Sequence, residues 1–167
     1  MPDHIADPVY NPAHYTVYPV QAIEITRHLG FCLGNAVKYT LRAPWKGGVE
    51  DCDKALQYLL WEQETPQKAL DATAFDAVDN ACARLGEFLD QTPGDPLWRD
   101  ISAVQSIAVG HLQDYLLNLD SGYPRADLFA LQSVVRDLRR ILVLRDTTGQ
   151  IYEGMSGFPE QEECGHE

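Results

Sequence analysis

Positive charge is scarce in this chain. Thirteen lysines and arginines stand against twenty-five aspartates and glutamates, a formal net charge of −12 over 167 residues. Broad binding along a nucleic-acid backbone needs a basic surface, so that class of partner is excluded. Cysteine is also sparse: Cys32, Cys52, Cys82 and Cys164, with no C-x-x-C pair. Such spacing argues against a zinc site and against a disulfide framework. Small core residues are the default reading for the first three. No apolar run approaches the roughly 20 residues that a membrane span needs. The opening MPDHIADPVY lacks the basic start and apolar centre of a signal peptide, so a cytoplasmic protein is expected. The phosphate-cradling pattern G-x-x-x-x-G-K-[ST] occurs nowhere.

What the chain does have is helical periodicity. Residues 1 to 18 carry prolines at 2, 8 and 12, which bar a helix over most of that arm. Helices are expected over 19–29, 31–43, 49–64, 73–90, 97–119 and 124–145. Ile23, Ile25 and Leu29 would bury the first, and Leu33, Val37 and Leu41 the second. Phe75, Val78, Cys82, Leu85 and Leu89 recur at helical spacing. So do Ile101, Val104, Ala108, Leu112 and Tyr115, and then Leu128, Leu131, Val135, Leu138 and Leu142. Residues 147–167 show little periodicity and read as a mobile acidic tail. The expected fold is all-α, with five to six helices and an irregular N-terminal arm.

The few cations that exist are concentrated. Lys38, Arg42, Lys46 and Lys54 fall in one short stretch. They are either a solvated face or the walls of an anion site. Lys38 and Arg42 lie one turn apart, so together they can grip the oxygens of one phosphate or of two neighbours. Asn35 shares their side of the helix and offers both a donor and an acceptor to a base edge or sugar hydroxyl. Tyr39 flanks them. Lys46-Gly47-Gly48 is a loop in which backbone amides can approach a ligand closely. Lys54, Tyr58 and Trp61 form a stripe on the next helix, with Leu56, Leu59 and Leu60 facing elsewhere. Asp51 and Lys54 can equally be a simple i,i+3 pair. In the N-terminal arm, Asn11-Pro12 favours a turn that presents His14 and Tyr15, or else lets them cap the following helix. Glu24 is either a solvated carboxylate or the partner of His14, Lys38 or a substrate hydroxyl. Arg136, Arg139, Arg140 and Arg145 are read as solvated or paired surface, with a second phosphate patch as the alternative.

These residues, in this order, resemble a known family. N-P-x-H-Y, an I-E pair, G-N-x-x-K-Y-x-x-R and K-G-G-x-E-D-x-x-K-A-x-x-Y-L are similar to the SaV-like family of small phage proteins, over about residues 11 to 60. That family is described as phage nucleotide kinases that lack a P-loop and act on deoxynucleoside monophosphates. The resemblance implies a nucleotide-binding region over residues 1–65; beyond its reach, periodicity gives a helical extension over 66–146 and composition a flexible tail over 147–167. It implies catalytic or phosphate-handling roles for His14, Glu24, Lys38, Arg42 and Asp51. Asn11, Tyr15, Asn35, Tyr39, Lys46, Lys54 and Tyr58 would bind ligand, the tyrosines framing the base. A nucleoside triphosphate would be the phosphate donor, the need for a divalent metal stays open, and no metal ligands are assigned. The partner is a nucleotide rather than a nucleic-acid polymer or a membrane, in the host cytoplasm. Three short helices bury little core, so a homo-oligomer is expected. The alternatives are a nucleotide-sequestering protein without turnover, countering host defence signalling, and a helical adaptor for a host protein.

Overall fold

A computed structural model describes residues 17–91, 94, 96–121 and 124–148. The described residues form six α-helices and no strand. They are α1 (Ala22–Thr26), α2 (Phe31–Arg42), α3 (Gly48–Glu64), α4 (Ala72–Gln91), α5 (Pro96–Asn118) and α6 (Pro124–Thr148), with a 3-10 turn at Leu119–Ser121 before the last. The all-α expectation holds. The last helix runs through Thr148 and so takes the first two residues of the expected tail; the rest of that tail, the residues of the N-terminal arm up to 16 and Cys164 lie outside the described residues.

The helices run in a closed circuit. The principal neighbours are α1 with α2, α2 with α3, α3 with α6, α6 with α5, α5 with α4, and α4 with α1. The circuit encloses one apolar cluster that draws on every helix, from Val20 and Ile25 through Leu33, Leu59, Leu85 and Ile101 to Leu138 and Leu142. The apolar faces read from α2, α4, α5 and α6 are the faces that turn inward, with Phe75 and Val104 half-buried at their edges.

The first helix departs from expectation. It spans five residues rather than the whole of 19–29. Tyr18 and Val20 are buried before it starts, in a bent segment over residues 17–20. After it, His28 and Leu29 donate to Ile25 O and Thr26 O, three residues back, and the helix tightens into turns before Gly30. Ile23 is 57% exposed while Ile25 is fully buried. Residues two apart lie about 200° apart around a helix, so the two isoleucines cannot share a face. On α3, Leu59 is buried but Leu60 is exposed.

The end of α2 sets the geometry of everything that follows. Pro44 has no N–H, so Thr40 O loses its helical partner. Buried Gln105 on α5 supplies one: its Nε2 donates to Thr40 O at 3.0 Å and to Leu41 O at 3.3 Å. The Tyr18 hydroxyl lies 2.8 Å from Gln105 Oε1 and 2.9 Å from Leu41 O, and accepts from Trp45 Nε1 at 2.8 Å. Burial pushes the Tyr18 phenol well above its ordinary range, so it stays a neutral donor. A helix end is thus capped by side chains from distant parts of the chain.

Candidate functional site

Helices α2 and α3 pack antiparallel through the turn at residues 43–47. The outward side of α2 therefore meets the outward side of α3. Tyr39 lies at the centre of the seam. Lys38 Nζ sits over its ring at 4.5 Å, the Arg42 guanidinium at 4.6 Å and Lys54 Nζ at 5.7 Å. Tyr58 stacks on the same ring, with centroids 5.9 Å apart and planes at 13°. Three cations from two helices thus converge on one aromatic ring.

Each cation is held differently. Arg42 donates from Nε to Asp51 Oδ2 at 2.8 Å and from Nη2 to Asp51 Oδ1 at 3.1 Å. The side chain of Asp51 is 1% exposed and that of Arg42 is 17% exposed. This is a fork-on-fork pair, the geometry in which an arginine is most rigid. Lys54 pairs with Glu50 one turn earlier, not with Asp51, so the expected i,i+3 pair is replaced by an i,i+4 pair. The hydrogen bond to Glu50 raises the Lys54 pKa. Lys38 has no carboxylate partner among the described residues; Asn35 Oδ1 accepts from its Nζ at 2.7 Å. Asn35 in turn donates from Nδ2 to Phe31 O at 2.8 Å. Asn35, expected to read a base or sugar, thus also orients Lys38, with one N–H and one lone pair beyond those two bonds.

The two glycines shape the turn that seats the Arg42–Asp51 pair. A Cβ on Gly47 would fall 2.1 Å from Asp51 Cγ, so only glycine leaves room for the buried carboxylate. Gly48 has φ +54°, the left-handed region that favours glycine. Its N–H donates to Ala43 O at 2.8 Å and closes the turn. Lys46 is exposed on that turn; its backbone N–H donates to Arg42 O at 3.0 Å, and its side chain makes no hydrogen bond or ion pair among the described residues.

Other expected residues lie elsewhere. Glu24 faces α4: Arg84 Nη2 donates to its Oε2 at 2.8 Å, and the Gln21 N–H donates to its Oε1 at 3.0 Å. The Arg84 hydrogen bond holds the Glu24 carboxyl below its ordinary range. Glu24 thus ties α1 to α4 and does not join the cations of α2 and α3. Asn11, His14 and Tyr15 lie outside the described residues. Among the C-terminal arginines, Arg139 pairs with Asp53 of α3, Arg140 with Asp137, and Arg145 with Asp146 and the Pro44 carbonyl, as paired surface. Cys52 and Cys82 are core thiols whose pKa burial pushes up to about 12.

Residues 9–60 match one family model. It is described as a protein of unknown function, DUF3310. The DUF3310 match covers less than a third of the chain and contains all of α1 and α2 and most of α3. Every residue of the cation cluster falls inside it. No curated protein and no solved structure matches the chain.

Two aromatic side chains complete the surface that α2 and α3 share. Phe31 meets Tyr58 edge-on at 5.7 Å, and Trp61 meets Tyr58 edge-on at 5.3 Å. Phe31 was not singled out from sequence, because its closeness to Tyr58 exists only once the two helices pair. A separate apolar cavity of about 20 Å³ lies on the other side of α2, lined by Ala36, Val37, Leu59, Ala108 and Leu112 among others. Nucleotide-sized sites run to about 300 Å³ and more, so this void is a packing gap. Among the described residues, no group of three or more His, Cys, Asp or Glu side chains is placed to hold a metal ion. No helix of the described residues is long and apolar enough to cross a membrane.

Proposed function

We propose that this protein binds a nucleotide through its phosphates on the face shared by α2 and α3. The observation that carries this reading is the convergence of Lys38, Arg42 and Lys54 on one ring in a chain of net charge −12. Two of the three cations are balanced by Asp51 and Glu50, and Lys38 is not. The seam therefore holds an excess positive charge with an adjacent aromatic surface, which suits an anion carrying a flat ring.

The resemblance to SaV-like phage nucleotide kinases supplies the activity: transfer of a phosphoryl group from a nucleoside triphosphate to a nucleoside monophosphate. Such transfer depends mainly on positioning and on neutralising charge. Lys38 and Lys54 would meet phosphate oxygens. Arg42, fixed by Asp51, would add its positive charge beside them. His14 would orient a phosphate oxygen or shuttle a proton.

One observation favours capture without turnover instead. Both carboxylates beside the cations are engaged in ion pairs, so neither stands ready as a base. Incubation with a mononucleotide, a nucleoside triphosphate and magnesium separates the two readings. A diphosphate product means kinase; unchanged nucleotide recovered from a tight complex means capture. Calorimetry of the wild type and Lys38→Ala against mono-, di-, tri- and cyclic nucleotides tests the binding itself. Equal affinity in both proteins, or none in either, removes the proposal.

A further inference from the structure

Tyr39 cannot be the surface on which a base stacks. Tyr58 already lies parallel to its ring, and Lys38 and Arg42 stand over it. Tyr58 is itself packed against Tyr39 and met edge-on by Phe31 and Trp61. The open aromatic surface belongs to the last two. Phe31 is 75% exposed, the highest value for a large apolar side chain among the described residues, and Trp61 is 45% exposed. Exposing such rings costs free energy unless something covers them.

Their position says what that is. Tyr58 bridges the exposed pair to Tyr39 and its cations, so the flat apolar surface and the positive charge adjoin on one face. A partner that is apolar throughout would leave the cations unused. Inorganic phosphate or a sugar phosphate would leave the rings bare. A nucleotide satisfies both. Resting on the nucleotide reading above, we infer that its base stacks on Phe31 and Trp61, while its phosphate sits over Lys38 and Lys54. The tyrosines expected to frame the base then form the rigid floor that links the two halves.

Trp61 makes the inference measurable. The chain has three tryptophans; Trp98 is buried and Trp45 half-buried, so Trp61 is the exposed reporter. Titrating the full chain with a panel of mononucleotides quenches the exposed-tryptophan fluorescence, while ribose 5-phosphate binds without quenching. Phe31→Ala and Trp61→Ala each weaken mononucleotide binding about tenfold or more, the usual worth of one base–aromatic stack. Neither changes the affinity for ribose 5-phosphate. Trp61→Phe restores affinity and abolishes the signal. Lys38→Ala weakens both ligands. Both ring positions are exposed, and matching melting temperatures check that their variants fold. If Phe31→Ala and Trp61→Ala bind mononucleotides like the wild type while Lys38→Ala does not, the base lies elsewhere and only this inference fails. If no nucleotide binds the wild type, the nucleotide reading and this inference fail together. If both ring variants disrupt an oligomer in sedimentation without changing nucleotide affinity, the rings are a self-interface and the inference is overturned.

Discussion

Asp51 is a carboxylate with almost no access to water, and it survives there because Arg42 grips both of its oxygens. Breaking such a pair from one side strands a buried charge, typically at a cost of about 3–5 kcal/mol. Arg42→Ala is therefore a folding variant as well as a binding one. Denaturant unfolding should show that loss, and adding Asp51→Ala should recover part of it. Lys38→Ala should leave the unfolding midpoint within about 0.5 kcal/mol of wild type, since surface changes rarely exceed that, while weakening nucleotide binding in calorimetry. Gly47→Ala forces a methyl group into the Asp51 carboxylate. A loss of about 1–3 kcal/mol is expected, as for other overpacked sites, together with weaker nucleotide binding as the clamp shifts. Glu24 gives a pH prediction. Arg84 depresses its folded-state pKa, so the stability it contributes is present above the ordinary carboxylate value of 4.5 and is lost as pH falls through the lower folded value. The pair is half-exposed and its contribution is small. Urea midpoints of wild type and Glu24→Gln should differ by a constant amount near neutrality and converge in acid.

At the scale of elements, α2 matters most because both of its faces are used. Leu33, Ala36, Val37 and Leu41 enter the core, while Lys38, Tyr39 and Arg42 line the seam with α3. Its C-terminal end is held by Gln105 and Tyr18, so the angle at which Arg42 meets Asp51 depends on a residue of α5. Gln105→Leu removes the donors to Thr40 O and Leu41 O and leaves the Tyr18 hydroxyl without its acceptor on α5. The Tyr18 hydroxyl and Leu41 O still meet at 2.9 Å, so Thr40 O is the group left unmet, at a cost of about 1–3 kcal/mol. Hydrogen exchange should show the loss at the amides of residues 40–48 before the amides of α4. Element positions were legible from residue spacing alone: the 3.6-residue period of α4, α5 and α6 predicts the sides that are buried. The length of α1 was not legible, because Tyr18 is held by Gln105 of α5 and Trp45 of the α2–α3 turn rather than by its neighbours in sequence.

Taking the molecule as a whole, the six helices close a circuit in which α3 and α6 meet directly and Arg139 reaches Asp53 across the join. The cation-bearing stretch is therefore braced by the C-terminal helices, although the family match ends at residue 60. Residue composition and periodicity alone determined that the chain is helical, that its surface is acidic and that its few cations gather near the second and third helices, because these properties depend on local spacing and on counts. Only the tertiary structure decided that Asp51 belongs to Arg42 and not to Lys54, that Glu24 belongs to Arg84, and that Phe31 and Trp61 flank one tyrosine. Such pairings arise when separate helices dock, and docking depends on how apolar faces fill shared space, a property that no single stretch of sequence carries.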